Sequence, residues 1–573
     1  MNDWHQSGHD TWPQALSAGK IPWVETAPPS IRDALAALRG HLAGAHFPLE
    51  SDDAAHARRT RGETLAQLDD YVVPRLEHLG APLLAVVGGS TGAGKSTLVN
   101  SLVGRPVSRA GVRRPTTRTP VLIHHPEDGE WFTQPRVLPD LERAEADDHS
   151  DGTLRVVADD GVPVGVAVLD APDVDSVVTG NRTLATQLLA AADVWLFVTT
   201  AARYADATPW ELLAEAADRR TAVAVVLDRV PADAVSEIRG HLAGLLAERG
   251  LGDAPLLVVE EVEPDESGVL PPGAVEAVRL WLDGLTADEA ARGELVRRTL
   301  DGAVDDVLRR ADGLADAADR QGEVLAELQS EVADAYDEAV TRIGEAVSDG
   351  TLLHGDLLAR WNDFVDTGDF ARSLESRGGR VRDRLRTFLR GRPQRALDVG
   401  QAAEQALCAM LVEHADRAAE QTDQRWRRSP AGQKLLGDDD LSRVASTFAE
   451  RCASVVREWH EVVVELIRTE DVEDRAGARR ISAGVAGLGV ALMVAVFAPP
   501  PGPRLLEQIF GEEVVRRNAA KALADLSGRI DALLATESSR FTDRLGGLMV
   551  EAGLGDTLRA AVQDVRQARE DAA

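Results

Sequence analysis

Residues Gly89-Ser90-Thr91-Gly92-Ala93-Gly94-Lys95-Ser96 constrain this chain more than any other stretch. They fit G-x-x-x-x-G-K-[ST], and their surroundings are those the motif needs. Leu83–Val87, just before, is a short apolar run that reads as a buried strand. Thr97, Leu98, Val99, Asn100, Leu102 and Val103, just after, have helical spacing. A strand feeding a glycine-rich loop and then a helix N-terminus aims backbone N–H groups and the positive end of a helix dipole at one spot. That arrangement suits an anion. Lys95 adds a point charge for β- and γ-phosphates, and the Ser96 hydroxyl is placed to join a Mg²⁺ shell. Only four lysines occur in the chain (Lys20, Lys95, Lys434, Lys521), and one of them takes the phosphate position. The pattern predicts binding of a nucleoside triphosphate by Gly89, Ser90, Thr91, Gly92, Ala93, Gly94, Lys95, Ser96 and Thr97.

A chain of 573 residues is too long for one core, so several domains are expected. Aromatic residues make up only 4%, and Ala, Leu and Arg are abundant, which favours helices. The formal net charge of −31 opposes nucleic-acid binding by the surface at large, because a phosphate backbone wants a basic face. Two cysteines, Cys408 and Cys452, are too few for a disulfide framework or a cysteine-based zinc site. The opening MNDWHQSGHDTW has no basic-then-apolar leader, and the expected location is cytoplasmic.

Along the chain, residues 1–28 are polar with scattered Trp and Pro and read as an arm. Residues 29–80 carry two helical patterns, with Pro74 as a kink, and are expected to pack on the helical bundle later in the chain. Between 81 and 285 strands and helices alternate. Strand candidates are Leu83–Val87, Val121–His124, Leu154–Ala158, Val164–Asp170, Val194–Thr199, Ala222–Leu227 and Leu256–Glu260. Helices are expected over Thr183–Ala192, Trp210–Arg219, Asp233–Arg249 and Ala274–Leu285. This alternation predicts an α/β domain with a mostly parallel, doubly wound sheet. After Thr286 strand signals stop, and 286–573 reads as a large all-α bundle or stalk with long helices over 286–348, 351–390, 398–427, 439–472 and 503–570.

A phosphate loop alone does not separate GTPases, ATPases and kinases. Arg113-Arg114-Pro115-Thr116-Thr117-Arg118-Thr119-Pro120 follows the first helix of the α/β block. A threonine there, Thr116 or Thr117, can offer its hydroxyl to Mg²⁺ and its N–H to a γ-phosphate, ordering the loop in the triphosphate state only. The plainer reading is a basic linker bounded by prolines. Val164–Leu169 ends in Asp170-Ala171-Pro172-Asp173. A carboxylate at the carboxyl end of a parallel strand, Asp170, is well placed to hold Mg²⁺. The ABC-type ATPase reading lacks its signature, since Leu526-Ser527-Gly528-Arg529 and Asp170-Ala171 do not supply it. No Ser-His-Asp, paired-Cys or clustered-His pattern stands out, and His124-His125 ends a strand.

The spacing of GSTGAGKS, RRPTTRTP and DAPD resembles the first three motifs of translation-factor-type GTPases. With its long helical part, the chain is similar to bacterial dynamin-like proteins. Thr199–Trp210, after a Trp-Leu-Phe-Val strand, lies where such GTPases place a loop beside their switches. The resemblance implies GTP as substrate, GDP as product, Mg²⁺ as cofactor and Lys95, Thr91, Thr116, Thr117 and Asp170 as catalytic residues, with Ser96, Thr117 and Asp170 on the metal. It also implies self-association or a related dynamin-like partner. Three departures stand out. Asp173 takes the glycine position of DxxG, and Thr91 stands nearest to the polar glutamine of dynamins. Asp228-Arg229-Val230-Pro231 replaces the guanine motif. There Asp228 can accept from the base and Arg229 can stack on it, with Asp233 the nearest second carboxylate. Guanine and adenine both stay open, and hydrolysis is expected to be slow unless Arg118 or a partner's arginine assists.

Two segments raise a membrane question. Arginines 372, 377, 380, 382, 384, 386, 390, 392 and 395 crowd a segment with few acids, 372–395. They suit anionic headgroups or pairing with acidic helices. Ile481–Ala498 holds no charge over eighteen residues. As a helix it would be about 27 Å long, marginal for a bilayer. A crossing would strand the 503–570 helix away from its partners, so a dip into one leaflet and a buried core helix are the readings left open. Dynamin-like resemblance implies a longer apolar hairpin here. The expected setting is the cytoplasm, with peripheral contact at the inner face of the membrane; a soluble switch or weakly hydrolysing scaffold is the alternative.

Overall fold

The computed structural model describes residues 29–108, 119–134, 137–138, 141–144, 153–173, 179–205, 210, 213–214, 216–217, 221–352, 357, 359–360, 393–469, 482–497, 506–507 and 510–572. They divide into two compact units. One takes the chain up to Phe47, Ala55–Asp319 and the chain from Glu551; the other takes Pro48–Ala54 and Arg320–Val550.

The first unit is built on an eight-stranded sheet. Its strands are β1 (Leu83–Gly89), β2 (Val121–His124), β3 (Glu142–Ala144), β4 (Thr153–Ala158), β5 (Val166–Asp170), β6 (Val194–Thr200), β7 (Ala222–Val230) and β8 (Leu256–Glu260), in the order β3-β4-β2-β5-β1-β6-β7-β8. All pairings are parallel except β2 on β5, so the sheet is two parallel halves meeting at one antiparallel seam. β1 shows why such strands are apolar throughout. Leu84 and Val86 enter the core on one face with Leu188, Trp195 and Leu246; Leu83, Ala85 and Val87 enter the other with Leu98, Val99 and Leu282. A period of two with both faces covered leaves no position for a polar side chain. β3 was not anticipated. Its three residues, Glu-Arg-Ala, are an edge strand with no apolar signal.

The same unit contains a helical layer. The helix Pro29–Gly44, the segment Leu68–Leu76, the stretch Leu300–Ala318 of the long helix Glu289–Ser348, and the helix Leu554–Ala572 share one core around Leu35, Leu38, Val307, Leu558 and Val562. The expected kink at Pro74 is a π-helical turn, Leu68–Val72, which lets the proline start the next short helix, Val73–Glu77, without losing a bond. Buried Asp193 ties this layer to the sheet. It accepts from Tyr71 Oη at 3.1 Å, from Arg75 Nε at 3.0 Å and from Leu84 N–H at 2.8 Å, while Thr299 donates to its carbonyl at 3.3 Å.

The second unit is a helical bundle made of Pro393–Trp426, Phe448–Arg468, Ser482–Phe497, Glu512–Gly546 and the distal part of Glu289–Ser348. Its indoles anchor neighbours: Trp459 Nε1 donates to Ala522 O at 2.8 Å and its ring packs on Phe497. Two helical expectations shorten. The 439–472 pattern becomes a helix only from Phe448, and 503–570 is broken between Gly546 and Leu554, with Gly553 (φ 76°) just before the second helix. The uncharged segment forms Ser482–Phe497, and Leu488, Val490, Leu492, Met493, Val494 and Phe497 are buried in the bundle core. Close approach fits the small residues of this helix: a Cβ on Gly489 would lie 2.8 Å from Val464 Cγ2. Among the described residues no helix is long and apolar enough to cross a membrane. Residues 372–392 of the arginine-rich segment lie outside the described residues.

Candidate functional site

The carboxyl ends of β1, β5, β6 and β7 bring the site together. β1 runs into the loop, and the helix Lys95–Val103 leaves it with Gly94 at its N-cap. Two glycines answer to space and to backbone conformation. At Gly89 (φ 145°) a Cβ would lie 2.1 Å from Val198 O, and at Gly94 (φ 96°) one would lie 2.2 Å from Asp228 Oδ2. Backbone blocks a side chain at Gly89, and the positive φ disfavours one at Gly94.

The carbonyls of Gly89, Ser90, Thr91 and Gly92 accept from cationic side chains. Lys95 Nζ donates to Gly89 O at 2.9 Å and to Ser90 O at 3.1 Å; Arg203 Nη1 donates to Thr91 O at 2.6 Å, and Arg229 Nη2 donates to Gly92 O. These bonds fix the shape of the Gly89–Gly92 backbone. Sequence reasoning missed Arg203, because a single arginine in a loop carries no spacing signal. Arg229, expected to stack on a base, donates to the loop in this structure. A register shift between Leu227 and Val230 and a φ of 53° at Arg229 turn its side chain that way.

Asp170 ends β5, is fully buried, and accepts on Oδ2 from Ser96 Oγ at 2.7 Å and Ser108 Oγ at 2.5 Å. Its Oδ1 has no hydrogen-bond partner among the described residues. Burial pushes its carboxyl above the usual range, and the Ser108 and Ser96 hydroxyls and the Lys95 charge pull it back. Ser108 is a second residue the sequence did not flag. Buried Asn100 positions it, accepting from Val107 and Ser108 N–H at 2.9 and 2.8 Å and donating to Ser108 O at 2.8 Å. An Asn on the buried face of an apolar helix was the available signal. A buried carboxylate oxygen without a partner, beside a serine hydroxyl, is an oxygen donor set of the kind Mg²⁺ takes. These residues fit the ion.

Asp173 is three residues on. Ala171 N–H donates to Val87 O at 3.3 Å and Pro172 follows, so Asp173 sits on a short stem, with Oδ1 2.5 Å from Lys95 Nζ. At the end of β7, burial raises the Asp228 carboxyl, while the Arg229 charge, with Nε 3.5 Å away, lowers it in part. Asp233 is exposed in the turn after β7. Thr97 lies in the first turn of the loop helix, its carbonyl accepting from Ser101 Oγ at 2.6 Å. Thr116, Thr117 and Arg118 lie outside the described residues.

No family model matches this sequence, and no curated protein matches it. One solved structure similar to the chain is described as an oligomerised bacterial dynamin pair that provides a mechanism for long-range sensing and tethering of membranes. The match covers 94% of this chain and 81% of that chain, at 11% identity and a TM-score of 0.28. A second structure of the same description is matched over 92% of this chain and 96% of its own, at 12% identity and a TM-score of 0.29.

Proposed function

We propose that this chain is a dynamin-like GTPase that binds GTP with Mg²⁺ at Gly89–Thr97 and hydrolyses it slowly, coupling nucleotide state to its helical part. The observation that carries the reading is the Ser96–Asp170 contact within the field of the Lys95 charge, with Asp170 Oδ1 buried and unpartnered among the described residues. The loop amides and the N-terminus of Lys95–Val103 would seat the phosphates, with Lys95 neutralising their charge. Ser96 and Asp170 would hold Mg²⁺, with Thr117 as a further ligand. When bound, the ion neutralises charge that develops on the phosphate oxygens. Thr91 and Thr116 would face the γ-phosphate side, and Asp228 and Arg229 the base. Slow turnover follows from a site in which, among the described residues, no glutamine stands beside the loop to orient water.

The output we propose is assembly with a second copy or a related partner, and peripheral association with an anionic membrane surface from the cytoplasm through 372–395. The helix Ser482–Phe497 would have to leave its core to take part, exposing Trp459 and Val463 behind it. A nucleotide-binding scaffold with little turnover is the second reading, favoured by the Lys95–Asp173 ion pair.

The test is GTP turnover and co-sedimentation with phosphatidylglycerol vesicles, for wild type and Lys95→Ala, each with and without Mg²⁺. Turnover should need Mg²⁺ and fall by about 100-fold or more in Lys95→Ala, the scale of losing one charge-stabilising group. Pelleting that depends on GTP supports the membrane output. Turnover without pelleting leaves a soluble switch, and binding without turnover leaves the scaffold. A folded wild type that binds no nucleotide ends the reading.

A further inference from the structure

We propose that Asp173 sets the nucleotide preference of this site, holding it in a form that accepts a nucleoside diphosphate more readily than a triphosphate. The inference rests on the nucleotide reading of the loop given above.

A lysine ammonium has three donors. In this structure Lys95 Nζ engages three acceptors: Gly89 O at 2.9 Å, Ser90 O at 3.1 Å and Asp173 Oδ1 at 2.5 Å. Both partners of the ion pair are withdrawn from water, with side chains 5% and 12% exposed. Two of the three acceptors belong to the loop itself and cannot leave without unfolding it. Asp173 is therefore the acceptor that an incoming phosphate oxygen must replace.

The direction of its approach decides which phosphate is opposed. Asp173 comes from the β5 side, three residues beyond Asp170, whose carboxylate accepts from Ser96. That is the metal side of the cradle, where a terminal phosphate would lie, while the loop amides and the start of Lys95–Val103 face the phosphate before it. A diphosphate brings its β-phosphate to Lys95 from the side of the loop amides and no γ-phosphate to the point the carboxylate occupies. A triphosphate brings further negative charge to the point the carboxylate occupies. It must either expel Asp173 or tolerate two anions in contact at a partly buried site. The short stem, fixed by Ala171 N–H on Val87 O and followed by Pro172, limits how far the carboxylate can withdraw.

The experiment measures dissociation constants for fluorescent GDP and GTPγS in excess Mg²⁺, for wild type, Asp173→Asn and Asp173→Gly, with a thermal melt for each. Wild type should bind GDP more tightly than GTPγS. Both variants should shift that ratio toward GTPγS by roughly tenfold, the scale of relieving one like-charge contact. The gain should come from tighter GTPγS, with GDP affinity nearly unchanged. Folded variants that keep the wild-type ratio overturn the inference and leave the nucleotide reading standing. A wild type that binds GTPγS at least as tightly as GDP overturns it without recourse to any variant. Absence of binding by either nucleotide to folded wild type and variants removes the nucleotide reading and this inference together.

Discussion

Asp170 and Glu537 are both fully buried carboxylates, one in the sheet unit and one in the helical bundle, and their surroundings are opposite. Both oxygens of Glu537 are taken. Oε1 accepts from Ala445 N–H at 2.8 Å and from Arg540, and Oε2 accepts from Arg451 Nη2 at 3.3 Å. Asp170 has two hydroxyls on one oxygen and no partner on the other among the described residues. Withdrawing a carboxylate from water is costly unless hydrogen bonds and a counter-charge replace the lost hydration. Glu537 has that replacement within its own bundle and needs nothing further. Asp170 has only part of it, and its second oxygen is left without a partner among the described residues. The same residue chemistry thus reads as architecture in one place and as a site in the other. What separates them is the bookkeeping of lone pairs, since both side chains are equally buried.

The largest effect expected from breaking this contrast is on stability, at Glu537. Glu537→Ala should cost about 3 kcal/mol, the lower end for removing one partner of a buried ion pair, because Arg451 and Arg540 keep some access to water. Nucleotide affinity should stay within twofold, a scale well below the tenfold of 1.4 kcal/mol. Chemical denaturation and nucleotide titration check the two halves. A loss under about 1 kcal/mol would place Glu537 among ordinary surface pairs and undo the comparison. Asp170→Asn should do the reverse. Mg²⁺-dependent GTP binding should weaken by about 100-fold, the effect of removing one group that holds charge in place. The metal-free melting temperature should hold or rise, since an amide carries no charge to desolvate. A variant that melts well below wild type while keeping Mg²⁺-dependent binding would make Asp170 structural.

The contrast also explains what the sequence could disclose. The strand–loop–helix unit was legible because its requirements are local: glycines where φ is positive, a lysine after them, an apolar strand before them. Asp170 was legible for the same reason, as an acid ending an apolar strand. Ser108, Arg203 and the Lys95–Asp173 pair were not, since each meets the site through tertiary contacts, 62, 112 and 78 residues apart along the chain. The bundle followed a similar rule. Long amphipathic patterns located its helices, but not their ends, such as the stop at Gly546. Ser482–Phe497 was legible as apolar and helical only. Whether it faced lipid or protein depended on Trp459 and Val464, which lie earlier in the chain and meet it only after folding.

The smallest effect sharpens the contrast with a third carboxylate. Asp228 lies between the two cases: largely buried, near one guanidinium, and pressed close to Gly94. Burial raises its carboxyl above the usual range, with the Arg229 charge opposing. The sign follows from linkage. A carboxyl raised in the folded state contributes fully below its unfolded value of about 3.9 and loses that contribution as pH rises through the folded value. At neutral pH the ionised group is thus a burden on folding. Asp228→Asn, which cannot ionise, should be more stable than wild type at pH 7 by about 1 kcal/mol or less. The gap should close as pH falls to about 4. If Asp228 accepts from the base, the same substitution should reduce the preference for GTP over ATP by about tenfold, the scale of one hydrogen bond to a charged group. A stability gain bought with lost base selectivity would place Asp228 with Asp170, as a group kept charged for a ligand. A gain with selectivity unchanged would mean that its role ends at spacing β7 from the loop, and guanine recognition would have to come from elsewhere.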